Sequence, residues 1–167
     1  MQNFNEKQII DLLKQNSFPI EFFNKDYFNL KINDHRNFIV FIFQKSELRI
    51  NLPIQFGSLI KLILEKVKDY KIQFNDLNYY PFNETISHRL STIKLRNTHN
   101  LIMKNIILNY KNGISKNELY KILWPNDYEI HLNKIDTHLS NLKNFLHKEI
   151  NYNLNYSTNN SIIKFDL

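Results

Sequence analysis

The chain of 167 residues is 43% hydrophobic and 23% charged, which suits one ordinary domain or two small ones and excludes a disordered chain. It has no cysteine, which removes disulfide scaffolds, thiol catalysis and the usual structural zinc sites. Its formal charge of +6 admits a polyanionic partner, but Asn, Lys, Ile, Phe and Tyr abound beside only two glycines and four prolines, the set supplied by AT-rich codons.

No apolar run approaches the roughly 20 residues of a membrane span. MQNFNEKQ has neither the basic start nor the apolar stretch of a signal peptide. The expectation is a cytoplasmic protein with no membrane partner.

Glu6 to Gln15 sets Ile9, Ile10, Leu12 and Leu13 among polar residues and predicts a short amphipathic helix ending near Asn16 to Pro19. NFIVFIF at 37–43 is β-branched, aromatic and too short for a helix, so it predicts a buried strand. ELRINLPIQF predicts another, stopped by Pro53. From Phe56 onward, Leu59, Ile60, Ile63, Leu64 and Val67 fall on one side and Lys61, Glu65, Lys66 and Lys68 on the other, an amphipathic helix.

Only Asp69 to Lys71 separate that helix from KIQFNDLNYYPFNETISHRLSTIKL, so the chain divides into 1–70 and 71–167 with a short junction. The second segment predicts three or four short antiparallel strands, broken at Asn-Asp, Pro-Phe-Asn and His-Arg. Thr98 is the expected cap of a helix from His99 to Tyr110 with Ile102, Met103, Ile106 and Ile107 inward. Ser115 with Glu118 forms a capping box opening KNELYKILW.

After the loop PNDYEIHLN comes a helix over 134–146, in which Ile135, Leu139, Leu142 and Leu146 recur at core-facing spacing. Its outward side carries Asp136, Thr137, His138, Asn141 and Lys143 in place of long Glu/Lys pairs. The tail NLNYSTNNSIIKFDL predicts a hairpin turning at Asn159 and Asn160. The expected class is α+β. An antiparallel sheet, three helices and a closing hairpin describe a winged helix, whose third helix presents its polar side outward.

From Ile72 to the end the residues resemble the OmpR/PhoB-type winged-helix effector domain of bacterial response regulators. The resemblance rests on Leu95, on Ile102, Met103 and Ile106, on Ile114-Ser115-Lys116 with Glu118-Leu119, on Leu123-Trp124, and on IDTHLSNLK, similar to the family's "VDVHIxRLR" signature. INLPIQFGSLIKLI is similar to the last strand and helix of a receiver domain, which implies a small α/β receiver-like remnant over 1–70. Leu52 stands at the receiver's lysine position, and NFIVFIF runs into Gln44 and Lys45 with no phosphate-accepting aspartate. Regulation independent of aspartyl phosphorylation is therefore expected.

The resemblance implies double-stranded DNA as partner. Thr137, Asn141 and Asp136 fall at the family's base-reading positions, and His138, Ser140, Lys143 and Asn144 are expected at phosphates or sugars, with Lys134 and Lys164 completing the set. The helix has Asn141 and Lys143, and the wing STNNSIIK, where the family usually carries arginines and a glycine-aromatic-arginine tip. Affinity built largely on phosphate contacts follows. The ridge Leu59, Ile60, Ile63, Leu64 and Val67 is the expected homodimer surface, and residues 125–133 the expected contact with RNA polymerase.

Trp124 reads as a packing anchor for the second helix. His131 with His138 could suggest a metal pair, but without cysteine or a convergent carboxylate these, like His35, His88 and His99, read as structural. No Gly-rich phosphate loop, G-x-S-x-G or acid/base pair appears, so neither enzyme activity nor a cofactor is expected. The competing reading is a protein-interaction module, in which the winged helix serves as a scaffold docking another regulator.

Overall fold

The structure is a computed structural model that describes residues 6–16, 18–22, 30–35, 37–43 and 46–166. It forms two compact units, Met1–Tyr70 and Lys71–Leu167. Among the described residues there are five α-helices, and every sheet is antiparallel, an α+β arrangement.

In the first unit, helix α1 (Glu6–Gln15) buries Ile9 and Leu13, one turn apart, and exposes Lys7, Gln8 and Lys14. A 3₁₀ turn at Ile20–Phe22 buries Phe22. Strands β1 (Leu30–His35), β2 (Phe38–Phe43) and β3 (Ser46–Asn51) form an antiparallel sheet with β2 in the centre. Ile39 pairs with Ile50 and Phe41 with Leu48, which collects the apolar side chains on one face. The run 37–43 is thus a one-sided strand: Ile39, Phe41 and Phe43 are buried, while Phe38, Val40 and Ile42 are half-buried. The Arg49 guanidinium lies 3.6 Å from the centre of the Phe38 ring and shields part of that outer face.

Helix α2 (Phe56–Val67) packs on β3 through Leu59, Ile63 and Val67. Two sequence expectations change here. A receiver-like α/β unit needs parallel strands joined by crossover helices, whereas β1, β2 and β3 are consecutive antiparallel neighbours. The expected dimer ridge is largely consumed within the chain, since Leu59, Ile63 and Val67 are buried, Ile60 and Leu64 are half-buried, and Leu62 is the exposed large apolar residue of this helix.

The second unit opens with a four-stranded antiparallel meander, β4 (Ile72–Phe74), β5 (Leu77–Tyr80), β6 (Thr85–His88) and β7 (Ser91–Lys94). Helix α3 (Asn97–Leu108) follows and buries Ile102, Met103, Ile106 and Ile107. Its cap is Arg96, which makes no side-chain capping bond, so Thr98 sits inside the first turn and does not start the helix as expected. After the two-residue strand β8 (Ile114–Ser115), helix α4 (Lys116–Leu123) begins where the Glu118 backbone N–H donates to Ser115 Oγ at 3.1 Å.

Helix α5 (Leu132–Ile150) has 19 residues and extends beyond 134–146 at both ends. It stops at Asn151, whose left-handed φ of 51° turns the chain so that the Tyr152 N–H bonds the Leu146 carbonyl at 3.2 Å. Ile135, Leu139, Leu142 and Leu146 are fully buried, each contributing about 1.5–3 kcal/mol by transfer from water. The helix packs against α3, α4 and β7. Its end is also clamped: the His88 ring bonds Ile150 O through Nδ1 at 2.8 Å and Asp76 Oδ2 through Nε2 at 2.7 Å.

The chain closes with β9 (Tyr156–Asn159) and β10 (Ile162–Phe165), and β10 also pairs with β8. Positive φ falls on Asn160 and Ser161, one residue later than the expected turn pair. This is the two-residue primed turn that matches strand twist. Gly113, at φ 79°, lies so close to β10 that a Cβ there would sit 2.7 Å from both Ile162 Cγ2 and the Ile163 carbonyl oxygen.

Candidate nucleic-acid interface

The outward side of α5 divides into side chains already held and side chains left free. Trp124, the C-cap of α4, is half-buried and packs its ring on Tyr120 at 4.8 Å and on His138 at 5.1 Å between centroids. The Lys134 ammonium lies 3.9 Å from the Trp124 ring centre and 3.1 Å from Asp127 Oδ2. The Tyr120 hydroxyl donates to the same carboxylate oxygen at 2.9 Å. That hydroxyl and then Lys134 hold the Asp127 carboxyl below its ordinary range, while burial and then Asp127 push the Tyr120 phenol up.

Lys134 and His138, both expected at DNA, are therefore tethered around Trp124. Asp136 is also engaged: Lys116 Nζ, on a largely buried side chain, lies 2.6 Å from Oδ1 and 2.9 Å from Oδ2. An aspartate held this way has part of its acceptor capacity spent. Of the expected base-reading trio it is the least free.

Ser140, Asn141, Lys143 and Asn144 are exposed and make no hydrogen bond or ion pair with the described residues. Thr137 is exposed and returns its hydroxyl to the Asn133 carbonyl at 3.0 Å. The helix thus carries a run of solvent-exposed polar side chains, three of them short, over a fully buried leucine ridge. Lys164 is exposed on β10 and belongs to the hairpin, not to this helix face.

Beside the free residues, an open cavity of about 420 Å³ is lined by Arg96, Thr98, His99, His138, Asn141, Asn144, Phe145 and Lys148. His99 is 8% exposed and packs its ring on Phe145 at 5.0 Å, with Nδ1 enclosed and unpartnered. Burial, then the charge of Arg96 and then that of His138 lower the His99 pKa. Sequence reasoning missed Arg96, Thr98, His99, Phe145 and Lys148. Lys148 follows Asn141 and Asn144 at i+7 and i+4, so extending the helical period past 146 would have put it on the same face. Arg96, the N-cap of α3, and His99, in its first turn, are brought there by tertiary packing.

The loop between α4 and α5 exposes Tyr128 completely and Ile130 in part, and α4 exposes Ile122 in part. Among the described residues no helix is long and apolar enough to cross a membrane. Nor does any group of three or more His, Cys, Asp or Glu side chains among them sit where it could hold a metal ion. No protein-family model and no curated protein matches the chain.

Proposed function

We propose that residues 71–167 act as a winged-helix DNA-binding domain of the OmpR/PhoB type, in a transcription regulator that works without aspartyl phosphorylation. One observation carries this reading. The exposed side of α5 presents the side chains of Ser140, Asn141, Lys143 and Asn144 with no partner among the described residues, above leucines that fix the helix in place. Hydrated polar groups on a rigid element can exchange water for a surface that approaches closely.

In this reading α5 lies in the major groove, Asn141 reads an adenine edge through its amide, and Thr137 offers a methyl to thymine. Lys143 and Asn144 meet phosphate or sugar, and the β9–β10 hairpin is the wing with Lys164 on it. Lys134, His138 and Asp136 support the surface through Trp124 and Lys116. Two copies on repeated half-sites would enlarge a contact area that one module supplies only in part. Pairing would not run through Leu59, Ile63 or Val67, which are buried.

The test is Asn141→Ala with Lys143→Ala in the full chain, assayed on a pool of genomic fragments by fluorescence anisotropy. A fall of about tenfold or more in affinity, with an unchanged unfolding curve, supports the assignment. Equal binding by the folded variant removes it.

The exposed Tyr128, Ile130 and Ile122 favour a second reading, in which the fold docks another protein, RNA polymerase included, through the loop 125–133. Co-purification that is lost in Tyr128→Ser, with DNA binding absent throughout, would select it.

A further inference from the structure

The cavity beside α5 holds an arrangement that base reading does not use. Arg96 and Lys148 face it from α3 and α5, and neither carries an ion pair with the described residues. No carboxylate lines it. Helix α3 begins there with no side-chain cap and no acidic residue in its first turn. Its first backbone N–H groups have no intrahelical acceptor, and the helix dipole adds positive potential at that end. His99, more than nine-tenths buried, lines the same space, and its enclosed Nδ1 has no hydrogen-bond partner among the described residues. Asn141 and Asn144, on α5 with Lys148, add side-chain amides to the lining.

We propose that this cleft is a phosphate-binding site, with Arg96 and Lys148 neutralising the charge and the first turn of α3 donating hydrogen bonds to the phosphate oxygens. Two exposed cations that pair with none of the described residues, a helix start without a side-chain cap and a lining free of carboxylates make the walls of this cleft electropositive. Asn141 and Asn144 belong both to the cleft and to the free face of α5. A phosphate seated in it would therefore lie on the flank of a duplex engaged by that helix. This second step, the duplex as the phosphate's source, rests on the DNA-binding reading; the site itself does not.

The depressed His99 pKa agrees with a cationic cleft, and an anion bound between Arg96 and His99 would raise it.

The experiment uses the full chain and Arg96→Gln with Lys148→Gln, or Lys148→Gln alone if the double variant does not fold. In one arm inorganic phosphate is titrated at constant ionic strength while the His99 ring and the Thr98 and His99 amides are followed by NMR. In the other, a mixed-sequence duplex is bound across a range of salt. Saturable shifts at these groups that vanish in the variant establish the site.

If the variant also binds the duplex about tenfold more weakly, with a salt slope smaller by about 0.9, the phosphate belongs to the DNA backbone. If phosphate shifts these groups but duplex affinity is unchanged, the ligand is a free phosphate group. Absence of saturable shifts together with unchanged duplex binding overturns the proposal. Failure of the unmodified chain to bind any duplex defeats the DNA-binding reading separately, and the phosphate arm still decides the cleft.

Discussion

Along α2 the exposed residues include Lys61, Glu65 and Lys66, and at its end Lys68 closes a 2.9 Å ion pair with Glu65; along α5 they include Ser140, Asn141 and Asn144, which bond nothing in the described chain. Both helices bury an aliphatic ridge completely, Ile63 and Val67 in one and Leu139 and Leu142 in the other. The difference lies in what each leaves outside. Long charged side chains stay hydrated, pair with one another and lose much rotamer freedom when fixed, so they hold other surfaces off. Short amides and hydroxyls lose little on contact and let a partner come near the helix backbone. The same amphipathic pattern thus leaves a charged outer face on α2 and a largely uncharged polar one on α5, the face proposed for binding.

The contrast can be broken first at its common part. Leu139→Ala should cost about 2–5 kcal/mol, and Ile63→Ala a similar amount, both read from urea unfolding. A cost below 1 kcal/mol at Leu139 would mean that the ridge does not anchor the presenting face. The next effect is on binding. Asn141→Ala with Lys143→Ala should lower duplex affinity about tenfold, whereas Lys61→Ala with Lys66→Ala on α2 should change it far less. Equal losses would reduce the contrast to net charge.

Smaller effects test how α5 is held. Ser115→Ala removes the cap of α4, whose first residue, Lys116, grips Asp136; the expected cost is about 1 kcal/mol in thermal or urea unfolding. The N-cap of α2, Gln55, makes no such bond, so Gln55→Ala should leave stability near that of the parent.

The clamp at the far end of α5 should show in acid. The hydrogen bond from His88 holds the Asp76 carboxyl below its ordinary range. A depressed carboxylate contributes stability that is complete above its unfolded pKa of about 3.9 and is lost as pH falls through the folded value. Asp76→Asn should flatten that part of the stability curve below about pH 4 and leave the neutral region as the reference for the lost hydrogen bond. An unchanged acid limb would show that the clamp does not titrate. The smallest expected change is at Glu65→Gln, an exposed ion pair whose loss should not be resolved in unfolding experiments.

Periodicity made much of this fold legible. Ile9 and Leu13, Leu59 and Ile63, and Ile135 through Leu146 mark their helices because burial recurs at 3.6 residues, and Ser115 with Glu118 marks a helix start because the cap is local. Local rules failed where the start of α3 relies on Arg96 without a side-chain cap, and where α5 continues to an asparagine in the left-handed conformation. The receiver-like reading of 1–70 failed because a strand-helix string in sequence carries no sign of strand direction, and the pairing of β2 with β3 is antiparallel. Of the candidate face, the free Asn141 and Asn144 were legible from helical spacing. The tethers of Lys134, Asp136 and His138, and the approach of Arg96 and His99, depend on partners distant along the chain. Period counting does not see those.

Gly113 constrains variation in a way that composition hides. A chain that has kept only two glycines retains one where the smallest possible branch would run into the Ile163 carbonyl and the Ile162 methyl. Any side chain at this position meets the returning strand, and the left-handed φ of 79° adds backbone strain to it. A library of random variants selected for a folded product should accept many replacements at Gly57, where a methyl meets open space, and return glycine alone at 113.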